Sequence, residues 1–289
     1  MTRIAVLMTC FNRRDKTLAC LESLFGQCLP ERYTLHVFLV DDGSTDGTAE
    51  AVLARFPEVT VIRGDGNLYW NGGMRASMGM AMAHGHDFYL WMNDDTRLYP
   101  HALDTLLSTF VNLRERHGTP AIVVGSTRDP ATGKTSYGGR RRTNNWQPLH
   151  YMLLDPAAEP IPCDTMNGNC VLIPAAVAEV VGNLESAFVH SMGDWDYGYR
   201  AAAAGFPLYI APGYMGECHN DARDRDARAG LLTLRDRWRK VTGPKGLPFR
   251  AWMVYTRRYA GPFWFLYWVK PYLMAVLKGT LSEFQRKSP

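Results

Sequence analysis

An α/β fold built on a mostly parallel, Rossmann-like sheet flanked by helices is predicted for this 289-residue chain. Two observations predict it: short apolar runs alternate with stretches of helical periodicity, and acidic or Gly-rich turns follow the apolar runs. Residues 4–8 form an apolar run, after which Leu18, Leu21, Leu24 and Phe25 recur at helical spacing. The run 35–40 follows and ends at Asp41-Asp42-Gly43. That is a βαβ unit. A helix through 49–56, a strand at 59–62, a helix after Gly73 and a strand at 88–92 continue the alternation. Leu103, Leu106, Leu107 and Phe110 are spaced for another helix, and 121–125 reads as a further strand. In such a sheet, ligands bind at the carboxyl ends of the strands.

Residues 127–165 change character: rich in Gly, Pro, Arg and Asn, they suit a hairpin or loop region over the site, with Tyr137, Trp146 and Tyr151 as aromatic contacts. Regular structure resumes with a strand at 171–173, a helix opening at Pro174 and another after Asp194. The sequence divides into a catalytic unit, 1–234, and a helical, basic and aromatic C-terminal tail, 235–289. The tail carries twelve Lys and Arg against Asp236 and Glu283, a net of +10, which leaves −6 for the remainder. Basic residues confined to one end argue against a nucleic-acid partner and for an anionic membrane surface. Aromatic residues from Trp252 to Tyr272 alternate with cations, as an interfacial segment requires. Pro262 and Pro271 are expected to break the tail into short pieces that lie flat, and no run is long enough to span a bilayer. The six cysteines show no CxxC spacing and the first residues read as a strand rather than a signal peptide. Both point to reduced thiols and a cytoplasmic protein, peripheral on the inner face of the membrane, with an oligomer left open.

Three acidic groups sit where chemistry is expected. Asp41-Asp42-Gly43-Ser44-Thr45-Asp46 follows a strand; it is either a capped βα loop or a place where a carboxylate meets a ribose or base. Asn93-Asp94-Asp95-Thr96 offers hard oxygens suited to Mg²⁺ or Mn²⁺ carrying a diphosphate, or caps a helix before Pro100. Asp194 in Gly193-Asp194-Trp195-Asp196 is a general base or a helix cap. His219, in Glu217-Cys218-His219-Asn220-Asp221, is a metal ligand or an exposed loop histidine.

In this order the motifs resemble the family-2 glycosyltransferases, over about residues 3–220: Thr9-Cys10-Phe11-Asn12-Arg13 is similar to the family's T-x-Y-N-R, Asp41-Asp42-Gly43-Ser44 to D-D-G-S, and Asn93-Asp94-Asp95 to D-x-D. Gly193-Asp194 stands at the E-D pair. The segment from Gly66 to Gly73, the Asn167-Gly168-Asn169-Cys170 loop and Arg257-Arg258-Tyr259-Ala260-Gly261 are similar to a bacterial rhamnosyltransferase-like branch. The resemblance implies a GT-A fold and an inverting transfer from a nucleotide sugar, best matched by L-rhamnose from dTDP-rhamnose, with UDP-galactose or UDP-N-acetylglucosamine as alternatives. The implied acceptor is a glycan or a polyprenyl-diphosphate-linked glycan of surface polysaccharide synthesis.

The resemblance also implies roles. Thr9, Phe11, Asn12, Arg13, Asp42, Asn67, Gly73, Arg75 and Asp94 bind the nucleotide sugar, Asp95 and His219 hold a divalent cation, Mg²⁺ or Mn²⁺, and Asp194 is the base. Trp146, Asn167 and Trp195 are the acceptor contacts. Two positions depart from the pattern, Asn93 for the first Asp of D-x-D and Gly193 for the Glu of E-D, which puts metal affinity in question. An NAD-dependent oxidoreductase is the rival enzyme, but Tyr69 occupies the third glycine position of a G-x-G-x-x-G begun at Gly64. A non-catalytic membrane scaffold is the other rival; it predicts no response of the melting temperature to nucleotide diphosphate plus Mn²⁺.

Overall fold

The computed structural model describes residues 1–144, 146–220 and 233–287, so Asp221 lies outside the described residues. Strand β1 (Thr2–Cys10) pairs in parallel with β2 (Tyr33–Asp41), and α1 (Arg14–Phe25) makes the crossover. Next come α2 (Thr48–Arg55), β3 (Thr60–Arg63), α3 (Tyr69–His84) and β4 (Phe88–Met92), giving the parallel order β3-β2-β1-β4. The predicted run at 4–8 is continuously apolar because both faces of β1 are covered. Val6 and Met8 pack with Leu21, Leu24 and Leu106 on one face, Ala5 and Leu7 with Met74 and Met78 on the other.

The second half of the sheet is mixed rather than parallel throughout. After β5 (Arg97–Leu98), α4 (Ala102–His117) and β6 (Ile122–Arg128), the chain makes an excursion. It is not a loop but a series of short strands: β7 (Thr135–Tyr137), β8 (Gly139–Arg142), β9 (Tyr151–Leu153), β10 (Ile161–Cys163) and β11 (Thr165–Met166). Of these, β11-β8-β9 form a separate three-stranded sheet. The chain returns as β12 (Cys170–Pro174), antiparallel between β4 and β6. Helices α5 (Ala175–Val181) and α6 (Gly193–Ala203) and strand β13 (Leu208–Glu217), parallel to β6, complete the body. The reversal at β12 follows from the way in: a chain arriving from the small sheet enters at the end of β4 where the crossover helices leave.

Helix α3 begins at Tyr69 and not after Gly73, because its first N–H groups are held by a distant carboxylate described below. In the tail, α7 (Leu234–Thr242) is followed by α8 (Phe249–Tyr259) and α9 (Trp264–Lys287). Pro262 lies in the turn between α8 and α9, but α9 runs on through Pro271. Proline at 271 frees the Tyr267 carbonyl one turn earlier, and the Trp252 indole N–H donates to that oxygen at 3.1 Å, which satisfies the group a proline normally orphans.

The tail does not behave as one piece. Helix α8 buries Ala251 and Tyr255 against Phe188 and Met192. Its last turn grips Asp196, a fully buried carboxylate of α6: Arg258 donates to Asp196 Oδ1 at 2.7 Å, as does the Tyr259 hydroxyl, while Arg200 pairs with Oδ2 at 2.8 Å. Arg258 also pairs with Glu185 at 2.6 Å. Removing one partner of a buried ion pair costs about 3–5 kcal/mol, less where other donors remain. Arg258→Met is therefore expected to lower the unfolding free energy by about 2 kcal/mol, read by urea denaturation, since Arg200 and Tyr259 still hold Asp196. No loss would mean that α8 is not anchored through this pair.

Candidate active site

Asp42, buried at the end of β2, faces the turn before α3. Its Oδ1 accepts the amides of Gly66 (3.0 Å) and Leu68 (3.2 Å), and its Oδ2 that of Tyr69 (2.8 Å). The carboxylate thus shapes the 66–69 turn. Neighbouring Asp41 accepts from the Ser44 amide at 2.9 Å and keeps a buried Oδ2 with no partner among the described residues. Asn12 ties the first-strand loop to the D-D-G-S loop: its Oδ1 accepts from the Thr45 amide at 2.7 Å and its own amide donates to Ser44 Oγ at 2.9 Å. Beside it Phe11 is 52% exposed, a free ring face at the mouth. Gly73 has a packing role: a Cβ there would stand 2.2 Å from Thr9 Oγ1, so only glycine lets α3 approach β1 this closely. Asn67 and Arg75 are exposed on the turn and on α3.

At the end of β4, Arg13 bridges the acidic pair, with Nη1 2.7 Å from Asp95 Oδ2 and 3.3 Å from Asp94 Oδ1. Asp94 is buried and its Oδ2 has no partner among the described residues. Burial pushes its pKa up to about 7, with the charge on Asp95 adding to the shift and Arg13 opposing it. Cys218 donates its thiol toward Asp95 Oδ1 at 3.4 Å, and His219, the next residue, is exposed. Asn93 is explained by α3: its side-chain oxygen accepts the Trp70 indole N–H at 2.8 Å, so the position serves as a hydrogen-bond acceptor within the protein.

Asp194 lies in the first turn of α6, with Oδ2 accepting from the Gly168 amide (3.1 Å) and Oδ1 from the Trp195 amide (2.9 Å). Burial raises its pKa, and these two amides and the nearby Arg140 oppose the shift. Gly193 also has a steric reason: a Cβ there would fall 1.6 Å from the Asn71 Oδ1, while Asn71 Nδ2 donates to the carbonyls of Glu185 and Phe188. Trp70 and Asn71 thus account for both departures from the expected pattern. Asn12, Tyr69 and Met192, the non-glycine residues with positive φ among those described, all border this region, where backbone strain gathers at sites that function needs.

The comparisons with known proteins agree with this geometry. The family model described as glycosyl transferase family 2 matches residues 5–180, more than half of the chain. The chain belongs to glycosyltransferase family 2. A relative from Mycobacterium tuberculosis, named N-acetylglucosaminyl-diphospho-decaprenol L-rhamnosyltransferase, is 26% identical over 213 residues, covering 65% of this chain and 68% of that protein. Among solved structures, the mannosyltransferase PcManGT from Pyrobaculum calidifontis, in complex with GDP-Man and Mn²⁺, aligns with a TM-score of 0.56 and 14% identity, over 97% of this chain and 73% of that one. TarS 1–349 from S. aureus aligns with a TM-score of 0.55 and 14% identity over 76% of this chain, which spans 60% of the TarS fragment. These two likenesses show the GT-A fold.

In this glycosyltransferase the expected acceptor residues separate. Asn167 and Trp195 lie beside Asp194, joined by Arg140, whose Nε donates to Asn167 Oδ1 at 3.0 Å. Trp146 is 92% exposed; its carbonyl accepts from the Tyr267 hydroxyl of α9 at 3.5 Å, so it belongs with the tail. Arg140 was given no role by the sequence, and Trp70 and Asn71 stood in the Gly66–Gly73 segment without their partners being visible. Their signals were the run of arginines at 140–142 and the departures themselves.

A divalent cation fits the carboxylates more than a closed cage: among the described residues no three metal-ligating side chains converge. Asp95 with the unpartnered Asp94 oxygen gives the one or two carboxylates that such a cation uses alongside substrate phosphates.

Gly193→Ala is expected to cost about 1–3 kcal/mol of stability by forcing Asn71 aside. In a double-mutant cycle with Asn71→Ala, the two losses should fall short of additive by about 0.5 kcal/mol or more. Additive losses would show that the Asn71–Gly193 contact is not what sets residue 193.

Proposed function

We propose that the enzyme transfers L-rhamnose from dTDP-rhamnose to a glycan or polyprenyl-diphosphate-linked acceptor in bacterial surface polysaccharide synthesis, with inversion. The observation that carries the sugar and acceptor is the rhamnosyltransferase relative, which covers two thirds of this chain. The chemistry rests on Asp194, a recessed carboxylate held by two amides, which removes the proton of the attacking hydroxyl as the anomeric carbon undergoes a single displacement. Phe11 stacks on the base, and the loops joined by Asn12 and Ser44 cradle the nucleoside. Asp94 and Asp95 would hold Mg²⁺ or Mn²⁺, which supplies charge neutralisation for the departing diphosphate. UDP-galactose or UDP-N-acetylglucosamine is the alternative donor.

A donor-hydrolysis screen over dTDP-rhamnose, UDP-galactose, UDP-N-acetylglucosamine and GDP-mannose, with Mn²⁺, tests the reading. dTDP-rhamnose should turn over fastest, and a preference for another donor would replace the sugar. Asp194→Asn should cost roughly 10²–10⁴ in transfer, and the acid limb of kcat/KM should lie above the ordinary aspartate value of 3.8. The sign follows from the shift: the base works ionised, so the rate falls as pH drops through its raised pKa. Transfer by Asp194→Asn within about tenfold of wild type would remove this residue from the mechanism.

We also propose that α9 rests on an anionic membrane, on the cytoplasmic side. None of the described helices is long and apolar enough to cross one. Yet α9 exposes Phe265, Leu266, Leu273, Val276 and Leu277 beside exposed Lys270 and Lys278, and Trp146 meets the same helix. Apolar side chains flanked by lysines suit a headgroup layer, each cation adding about 1 kcal/mol. The full chain is expected to pellet with anionic liposomes at low salt, and Leu266→Glu/Leu273→Glu to stay in the supernatant. Equal pelleting of both would move the contact elsewhere.

A further inference from the structure

Arg140 is a cation positioned for a ligand. It sits on β8, whose strand partners hold it over α6: its guanidinium carbon lies 5.1 Å from the Trp195 ring centroid, and its Nε is fixed by Asn167. The ring is itself packed, with Tyr151 at 5.2 Å and Tyr255 at 6.3 Å, so the guanidinium plane is set before anything binds. Stacked on a ring and pinned at Nε, an arginine still presents the two terminal nitrogens of its fork. Among the described residues neither of these nitrogens has a hydrogen-bond partner or an ion pair. Asp194 acts on it through space, while its own oxygens are taken by the amides of Gly168 and Trp195. A partly desolvated cation without a paired anion is costly to keep unless a ligand completes it.

We propose that Arg140 is the anchor for a phosphate group of the acceptor, one that orients the attacking hydroxyl toward Asp194. This rests on the reading of the enzyme as a transferase acting on a diphosphate-linked acceptor and deepens it by assigning a residue that recognises the anionic link. The arrangement suits that role chemically. A planar fork binds phosphate oxygens in pairs, and Arg140 and Asp194 are held by neighbouring residues, Asn167 and Gly168, so an anion anchor and a base lie next to one another. The competing role is electrostatic: Arg140 holds Asp194 ionised and touches no ligand.

The two roles separate in a binding experiment. Calorimetry without donor compares a short-chain prenyl-diphosphate N-acetylglucosamine with the neutral octyl N-acetylglucosaminide, on wild type, Arg140→Gln and Arg140→Lys. Wild type should bind the charged acceptor at least about tenfold more tightly, as loss of a charge-assisted hydrogen bond implies. Arg140→Gln should abolish that preference and Arg140→Lys should keep part of it. A preference that survives in Arg140→Gln, or is absent from wild type, overturns the proposal. A shifted acid limb of transfer with the preference intact would assign Arg140 to the tuning of Asp194 instead. Preference lost in Arg140→Gln while wild type hydrolyses none of the four donors would leave the anchor standing and remove the proposed donor.

Discussion

The three backbone amides gathered by Asp42 are the constraint from which the rest of the site is hung. A carboxylate that accepts from Gly66, Leu68 and Tyr69 fixes the turn before α3 and the angle at which that helix leaves it. From the first turn of α3, Trp70 reaches the end of β4 at Asn93, Asn71 reaches the start of α6 at Gly193, and Gly73 lies on Thr9 at the end of β1. One acidic side chain at the end of β2 therefore sets the spacing between the end of β1, the acidic pair after β4 and Asp194 at the start of α6.

Much of the body was legible because burial on both faces writes itself into sequence. The apolar runs at 4–8, 37–40 and 88–92 became β1, β2 and β4, and the helical stripe from Leu103 to Phe110 became α4. What was not legible depends on distant partners. The start of α3 is set by a carboxylate 27 residues earlier, so no local cap announces it. The strands of the 127–165 excursion are two to four residues long and rich in Arg and Gly, too short for a period of two to show. Continuity of α9 through Pro271 needs the indole of Trp252, on another helix.

The site divides along the same line. Acidic residues after β2 and β4 marked Asp42, Asp94 and Asp95, and an acidic helix start marked Asp194, as candidate site positions. Their partners were hidden: the bridge from Arg13 to the acidic pair spans 81 and 82 residues, and Arg140 meets Asn167 across 27. Asn93 and Gly193, which looked like weakened motifs when read singly, are each matched to a residue of one short helical turn. A departure from a family pattern is better judged against the side chain that fills the space than against the pattern.

Arg258 and Tyr259 follow Asp196 by 62 and 63 residues, yet they close around it and so brace the helix that bears Asp194. On a ribosome, the central sheet is complete well before those two residues emerge. A segment made well after the sheet therefore locks the geometry of α6, and a chain interrupted short of it would present a finished sheet with an unbraced helix beside it. Order of synthesis thereby becomes order of assembly: the sheet can form first, and the helix that bears Asp194 is settled only when α8 docks.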